Sequence, residues 1–240
     1  MQVKRLYKVI DILEEHFGGK RKVSKPKPNL MDVLIATKLS QNTTDKTSYI
    51  AFRNLKDEFG SWENVMTAPL SRIKNAIKVC GLANTKAVQI KEMLKNIMNE
   101  HGSLTLNHLR KLSDDEVYEE LLKHKGIGKK TASCLLAFGM GRNVFPVDTH
   151  VHRVLNRIGL VDTKTPGETF DAAKPIVPDK LKVNFHTNLI RFGRNVCRAV
   201  RPLCYECMVH HLCSFKQKNL SGNSGLKAAA KNNFIILEKI

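Results

Sequence analysis

"HKGIGKKTASCLLAFG", residues 124–139, decides how the chain is read. Gly126 and Gly128 sit among Lys123, Lys125, Lys129 and Lys130, and an apolar run follows at once. Glycine tolerates positive φ and close backbone approach, so the pair predicts a tight turn. Ala132, Leu135, Leu136 and Phe138 predict a helix leaving that turn. Upstream, Ser113-Asp114-Asp115-Glu116 reads as a capping box for a helix that carries Val117, Leu121 and Leu122 and stops at Gly126. The stretch is thus helix, turn, helix. A turn that enters a helix leaves backbone N–H groups pointing outward, and the helix dipole adds partial positive charge there. Phosphate suits such a place. A plain C-cap followed by a new helix has the same pattern, and the phosphate reading leans on the lysines and on the charge of the whole chain.

That charge is large. Among 240 residues, Lys and Arg number 40 and Asp and Glu 22, a formal net charge of +18. Such an excess predicts an anionic partner, most simply nucleic acid. The length allows one or two domains. The longest apolar runs, such as "FIIL" at 234–237, fall far short of the roughly 18 residues of a membrane span. Asp11, Glu14 and Glu15 interrupt any signal-like apolar core at the start, so an intracellular protein is expected. Six cysteines in that setting call for something other than disulfides.

Helical periodicity runs through most of the chain, and strand alternation is nearly absent. Val3, Leu6, Ile10, Leu13 and Phe17 share a face of a first helix, followed by a basic connector at 18–28. Asn29 can cap "LMDVLIATKLSQ"; another helix runs from about Thr44 to Phe59; Ser61 can cap "WENVMTA"; Asn84 opens a long one that ends before Gly102. Further helices are expected near 149–158, 167–174, 180–192 and 205–211. "NVFPVD" (143–148) is at most a short extended connection, and residues 216–240 read as a loosely held tail. The fold class is all-α.

Three sets of residues carry chemistry. Lys130 falls in the first turn of a helix beside Lys129, where neighbouring positive charge disfavours its ammonium form. That can make an amine nucleophile, although a solvated phosphate contact explains it as well. Asp148 in "VDTH" can cap a helix beginning at Thr149. Cys197, Cys204, Cys207 and Cys213 give C-x6-C-x2-C-x5-C, a metal-centre pattern. One C-x2-C pair with two longer arms tilts toward a single iron–sulfur cubane, while His210 and His211 keep zinc open. Arg191, Arg194, Arg198 and Arg201 surround that segment, and Cys80 and Cys134 lie on apolar faces as small core residues.

In order, the glycine–lysine turn, "FPVDTHVHRV" and the four-cysteine spacing resemble endonuclease III and the wider helix-hairpin-helix DNA glycosylase superfamily. "LIATKLSQNTTD" (34–45) is similar to that family's segment near its inserted wedge, and the likeness spans about residues 5–215. The resemblance implies two helical domains flanking a DNA-binding cleft: a bundle at 30–135, and 1–29 plus 136–215 ending in a cluster loop. It implies double-stranded DNA with damaged bases or abasic sites as partner, with no membrane and a monomeric state. It puts the catalytic lysine on Lys130, the catalytic aspartate on Asp148, and a [4Fe-4S] cluster on Cys197, Cys204, Cys207 and Cys213. DNA contacts fall on Gln41, Asn42, Lys125, Gly126, Ile127, Gly128, Lys129, Thr131, His150 and Arg194. The activity implied is removal of damaged, by default oxidised, pyrimidines, followed by β-elimination through a lysine Schiff base. Alternatives are a glycosylase for uracil or thymine opposite guanine, or a DNA-binding module without catalysis. The chain departs from the pattern at Lys125, where proline is common, at His124, where leucine is common, at Asn42, where glutamine is frequent, and at Leu122, where some relatives carry an acid.

Overall fold

The computed structural model describes residues 2–18, 28–221 and 233–240. Every regular element among them is helical. The α-helices are α1 (Gln2–Phe17), α2 (Leu30–Leu39), α3 (Asp45–Phe59), α4 (Trp62–Thr67), α5 (Leu70–Ile77), α6 (Ala83–His101), α7 (Asp114–Leu122), α8 (Lys129–Cys134), α9 (Thr149–Ile158), α10 (Pro166–Ala173) and α11 (Lys182–Asn195). None is long and apolar enough to cross a membrane. The chain divides into two units: residues 1–24 with 143–233, and residues 25–142 with 234–240.

The unit built from 25–142 and 234–240 is organised around α2. Its sequence "LMDVLIATKL" is apolar almost all round, and every residue but Asp32 is buried. A helix of that kind needs cover on all sides. Helices α3, α6 and α8 and a turn at the C-terminus supply it. Asn29 caps α2 by accepting from the Met31 and Asp32 amides. Asp32 finds partners at the edge of the core, accepting from the Trp62 indole at 2.7 Å and from Lys56 at 3.2 Å. Each fully buried Leu or Ile in such a core contributes roughly 1.5–3 kcal/mol.

Most caps fall where the sequence puts them. Ser61 caps α4, and Ser113 and Glu116 form the reciprocal box at α7. Helix α6 instead begins at Ala83 after Leu82, which takes a left-handed φ of 50°, so Asn84 lies inside the helix. Helix α5 follows Pro69, which offers no side-chain cap. At the other end of the unit, Ile235, Ile236 and Leu237 are buried against α2 and α3, and Phe234 meets Tyr49 edge-on. The expectation of a loosely held tail is therefore corrected for 234–240: "FIIL" is core. Residues 222–232 and most of the connector expected at 18–28 lie outside the described residues.

The other unit packs α1 and α9 on α11. Leu6, Val9, Ile10 and Leu13 form the buried stripe of α1, while Val3 stays 61% exposed. Phe145 stacks on Phe185, and the buried His186 meets the Pro146 carbonyl at 2.7 Å. The segment 143–148 is extended, as expected. The helix expected at 205–211 does not form. Two one-turn 3-10 segments stand there, Cys204–Glu206 and His210–Leu212, because the chain folds back to bring its cysteines to one place.

Three histidines gather beside α7. His101 meets Glu120 at 3.0 Å and stacks near His108, and His124 is 3% exposed. Burial pulls the His124 imidazole below its ordinary range; Glu100 and Glu120 oppose that, and His101 and Lys123 reinforce it. The unfolded chain therefore takes up this proton first, and stability falls as pH drops below about 6.5. His124→Leu should make that fall shallower, read as the shift in urea midpoint between about pH 7.5 and about pH 5.5.

Candidate functional site

The sequence 123–128 forms the turn between α7 and α8. The helix before it ends at Leu122, four residues short of Gly126. The Ile127 amide donates to the His124 carbonyl at 3.0 Å, closing the turn, and Ile127 is buried beneath it. Lys125, Gly126, Gly128 and Lys129 are exposed, and Lys130 is half-buried. Tyr118 of α7 hydrogen-bonds Ser133 of α8 at 2.8 Å, and Ser133 donates to the Lys129 carbonyl at 2.7 Å, so the two helices are tied at their base. Burial pushes the Tyr118 phenol up to about 12.

The two glycines differ. Gly126 has φ +82°, and a Cβ built there would lie 2.2 Å from Lys38 Nζ and 3.0 Å from Gln89 Oε1. Gly128 has φ −110° and open space where a Cβ would go. The Gly126 carbonyl accepts from Lys38 Nζ at 2.7 Å and from Gln41 Nε2 at 3.2 Å. Gln41 reaches Thr131 Oγ1 as well, at 3.3 Å. The expected DNA-contact segments at 41–42 and 125–131 thus meet on one oxygen. Asn42 is exposed with φ 53°, a conformation asparagine tolerates better than most residues.

Lys38 was not singled out by the sequence, yet it is 1% exposed. Lys86 of α6, 3% exposed, lies nearby and donates to the Leu39 and Cys80 carbonyls at 2.8 and 3.1 Å. Burial, then the Lys86 ammonium, draws the Lys38 pKa below its ordinary value. The only legible signal was its place: a lysine inside an otherwise apolar helix.

Asp148, Lys130's expected partner in chemistry, belongs to the other unit. It caps α9, its Oδ1 accepting from the Val151 amide at 2.8 Å, and is half-buried. His150, the second residue of α9, is half-buried and contacts Arg153 at 3.1 Å through Nδ1. Burial is the main cause that lowers its pKa, with Asp148 opposing. Arg194 is half-buried in the last turn of α11.

Cys197, Cys204, Cys207 and Cys213 all line one small pocket, with Ile158, Phe192, Val196, Leu203 and Val209 among its apolar walls. Burial pushes the Cys207 thiol up to about 11, and the three neighbouring cysteines add to it. Thiols held this way give up their protons to a bound metal. Among the described residues the cysteine sulfurs do not form a group within 4.8 Å of one another. Four thiols on one apolar-walled cavity are a donor set that suits a metal centre. Two arginines of α9 that the sequence reading passed over brace this loop. Arg153 donates to the Cys197 and Gly193 carbonyls, and Arg157 to the Arg198 and Ala199 carbonyls and toward Cys197 Sγ at 3.6 Å. Their i, i+4 spacing in "HVHRVLNRIG" was the available sign. Cys80 and Cys134 are fully buried, as expected of core residues.

A helical hairpin with a basic turn, and a cysteine-lined cavity in the other unit, define a helix-hairpin-helix protein with a cysteine-rich loop. The model of the HhH-GPD superfamily of base excision DNA repair proteins matches residues 35–179. A putative DNA glycosylase of Arabidopsis thaliana, At3g47830, is 42% identical over 69% of this chain, which spans 57% of that protein. Endonuclease III of Thermotoga maritima is 34% identical over 79% of this chain and 85% of its own length. The structure of a trapped endonuclease III–DNA covalent intermediate superposes with a TM-score of 0.75 at 26% identity, covering 89% of this chain and 96% of that one. The chain belongs to the endonuclease III family of the HhH-GPD superfamily. It is accordingly a DNA glycosylase/lyase of base excision repair.

Gly126→Ala should cost more than about 1–2 kcal/mol, the left-handed strain alone, because the new Cβ also displaces Lys38. Gly128→Ala should cost under about 1 kcal/mol. Urea unfolding of the two variants separates them.

Proposed function

We propose that this enzyme removes oxidised pyrimidines from duplex DNA and then cuts the strand at the resulting abasic site. The observation that carries this reading is the position of Lys130: second residue of α8, half-buried, directly after the exposed basic turn. A trapped covalent complex in a structurally similar relative supports a covalent route.

The damaged nucleotide must leave the base stack before any side chain reaches it. Gln41 and Asn42 enter the gap. The turn at 125–128 grips backbone phosphate through its amides, with Lys125 and Lys129 adding charge and Thr131 standing at the base of the grip. His150 and Arg194 contact the DNA backbone from the other unit. The uncharged amine of Lys130 attacks C1′, and the base leaves with its bonding pair. Loss of a proton from the amine and opening of the C1′–O4′ bond, with O4′ taking up a proton, turn this adduct into a Schiff base, which acidifies the C2′ hydrogen. Loss of that proton expels the 3′ phosphate and cuts the strand. Asp148 stabilises positive charge on the sugar and takes part in proton movement. Its cap to Val151 holds the carboxylate in place for that role.

Cys197, Cys204, Cys207 and Cys213 hold a [4Fe-4S] cluster. When bound, it supplies four metal–sulfur links that pin the loop from 197 to 213. Arg153 and Arg157 keep the loop's carbonyls at 197–199 occupied, and Arg201 stays exposed. The protein works inside the cell, on the genome.

Borohydride should trap a protein–DNA adduct on duplexes carrying an oxidised pyrimidine or an abasic site. Lys130→Gln should abolish the adduct while retaining DNA binding, and Asp148→Asn should slow base release by about 10²–10⁴-fold. An adduct formed by the Lys130 variant at the wild-type rate would overturn this assignment. Scoring base release and strand cutting separately on duplexes with uracil or thymine opposite guanine distinguishes the mismatch reading.

A further inference from the structure

Two donors share the Gly126 carbonyl, and they differ in kind. Lys38 Nζ is the closer, at 2.7 Å, and its side chain is 1% exposed. Gln41 Nε2 is at 3.2 Å, and its side chain is half-exposed on the loop that follows α2. Lys38 sits in the last turn of α2, a helix buried on nearly all faces, so its amine cannot reach solvent or any ligand of the turn. An ammonium there is costly to bury, and a second one, Lys86, lies close. Leucine or methionine would fill the space at less cost, so core packing does not account for a lysine. What the lysine does is hold the turn. Gly126 is the residue with φ +82°, and it leaves no room for a Cβ beside Nζ. The carbonyl of that residue is pointed inward by Lys38, which fixes the plane of the following peptide at Ile127.

We propose that Lys38 is a positioning residue for DNA binding. It keeps the turn in its phosphate-gripping form when Gln41 leaves the Gly126 carbonyl to enter the DNA. The proposal rests on the reading of the turn as a phosphate grip and of Gln41 as an inserted side chain. In the free protein Gln41 is parked on the same oxygen and on Thr131. Its departure removes one donor from that carbonyl, and a turn held by Gln41 alone would lose its anchor at the moment it takes the load. With Lys38 in place the anchor stays. The two segments that meet DNA can therefore move independently although they share an acceptor.

The test uses the full chain with its cluster, in wild-type form and as Lys38→Met, Lys38→Gln and Gln41→Ala. Hydrogen exchange of the peptide covering 123–131 is read without DNA and with a duplex carrying a tetrahydrofuran abasic analogue. Binding of that duplex is read by anisotropy, and borohydride trapping is read at saturating abasic DNA. Lys38→Met should speed exchange in the turn without DNA and weaken binding by about tenfold. Trapping from the saturated complex should change less than about threefold, since Lys130 is untouched. Gln41→Ala should leave exchange in the turn near wild type without DNA, because Lys38 still holds the carbonyl. Lys38→Gln keeps a neutral donor and should fall between wild type and the Met variant; it also serves if the Met variant does not fold. Wild-type exchange and affinity in both Lys38 variants would overturn the proposal. So would equal loosening of the turn in Gln41→Ala. If DNA gives the wild-type turn no protection, the phosphate-grip reading fails instead, while exchange in the free variants still reports whether Lys38 holds the carbonyl.

Discussion

Helix α2 has to be covered on every side, and much of its unit follows from that. A ten-residue helix with nine buried positions cannot lie on a surface. It draws α3, α6 and α8 around it, together with the turn at Ile236–Glu238. The chemistry is built on the rim of this packing. The loop with Gln41 and Asn42 leaves the C-terminal end of α2, and α8, which begins at Lys129, packs on α2 directly. A rigid apolar centre thereby sets the register of the 41–42 loop against the start of α8, which is how a small site gains precision from a large core.

Most helices and several caps were legible because they depend on near neighbours in the chain. Asn29, Ser61 and the Ser113–Glu116 box each act over three residues or fewer, and each was found. The four cysteines were legible for a different reason: thiols at such spacing have few uses. What escaped was non-local. Lys38 looks like a blemish in an apolar helix until Gly126, 88 residues away, is placed beside it. Arg153 and Arg157 look like surface charges on α9 until the carbonyls of 193 and 197–199 converge on them. The helix read at 205–211 failed because its residues must turn sharply to present Cys204, Cys207 and Cys213 to one cavity. The stretch "FIIL" was read as tail because nothing local reveals that α2 and α3 need covering there.

Basic groups in this chain serve two separate ends. Exposed ones such as Lys125 and Lys129 lie at the turn and face solvent, where the proposed phosphate grip would use them. Buried ones, Lys38 and Lys86, answer to carbonyl oxygens inside: Gly126 for the first, Leu39 and Cys80 for the second. Arg110 behaves like the second group, bridging the Gly139 and Pro28 carbonyls. The formal charge of +18 is therefore not all displayed at the surface: part of it sits on buried groups that tie backbone segments together.

Residues 234–240 pack in the same unit as 25–142, although 143–233 belong to the other one. The polypeptide thus passes from one unit to the other three times, and neither is a continuous piece of sequence. During synthesis the α2-centred unit emerges early but lacks part of its cover until Ile236–Glu238 has left the ribosome. That cover arrives only after the cysteine loop has already been made.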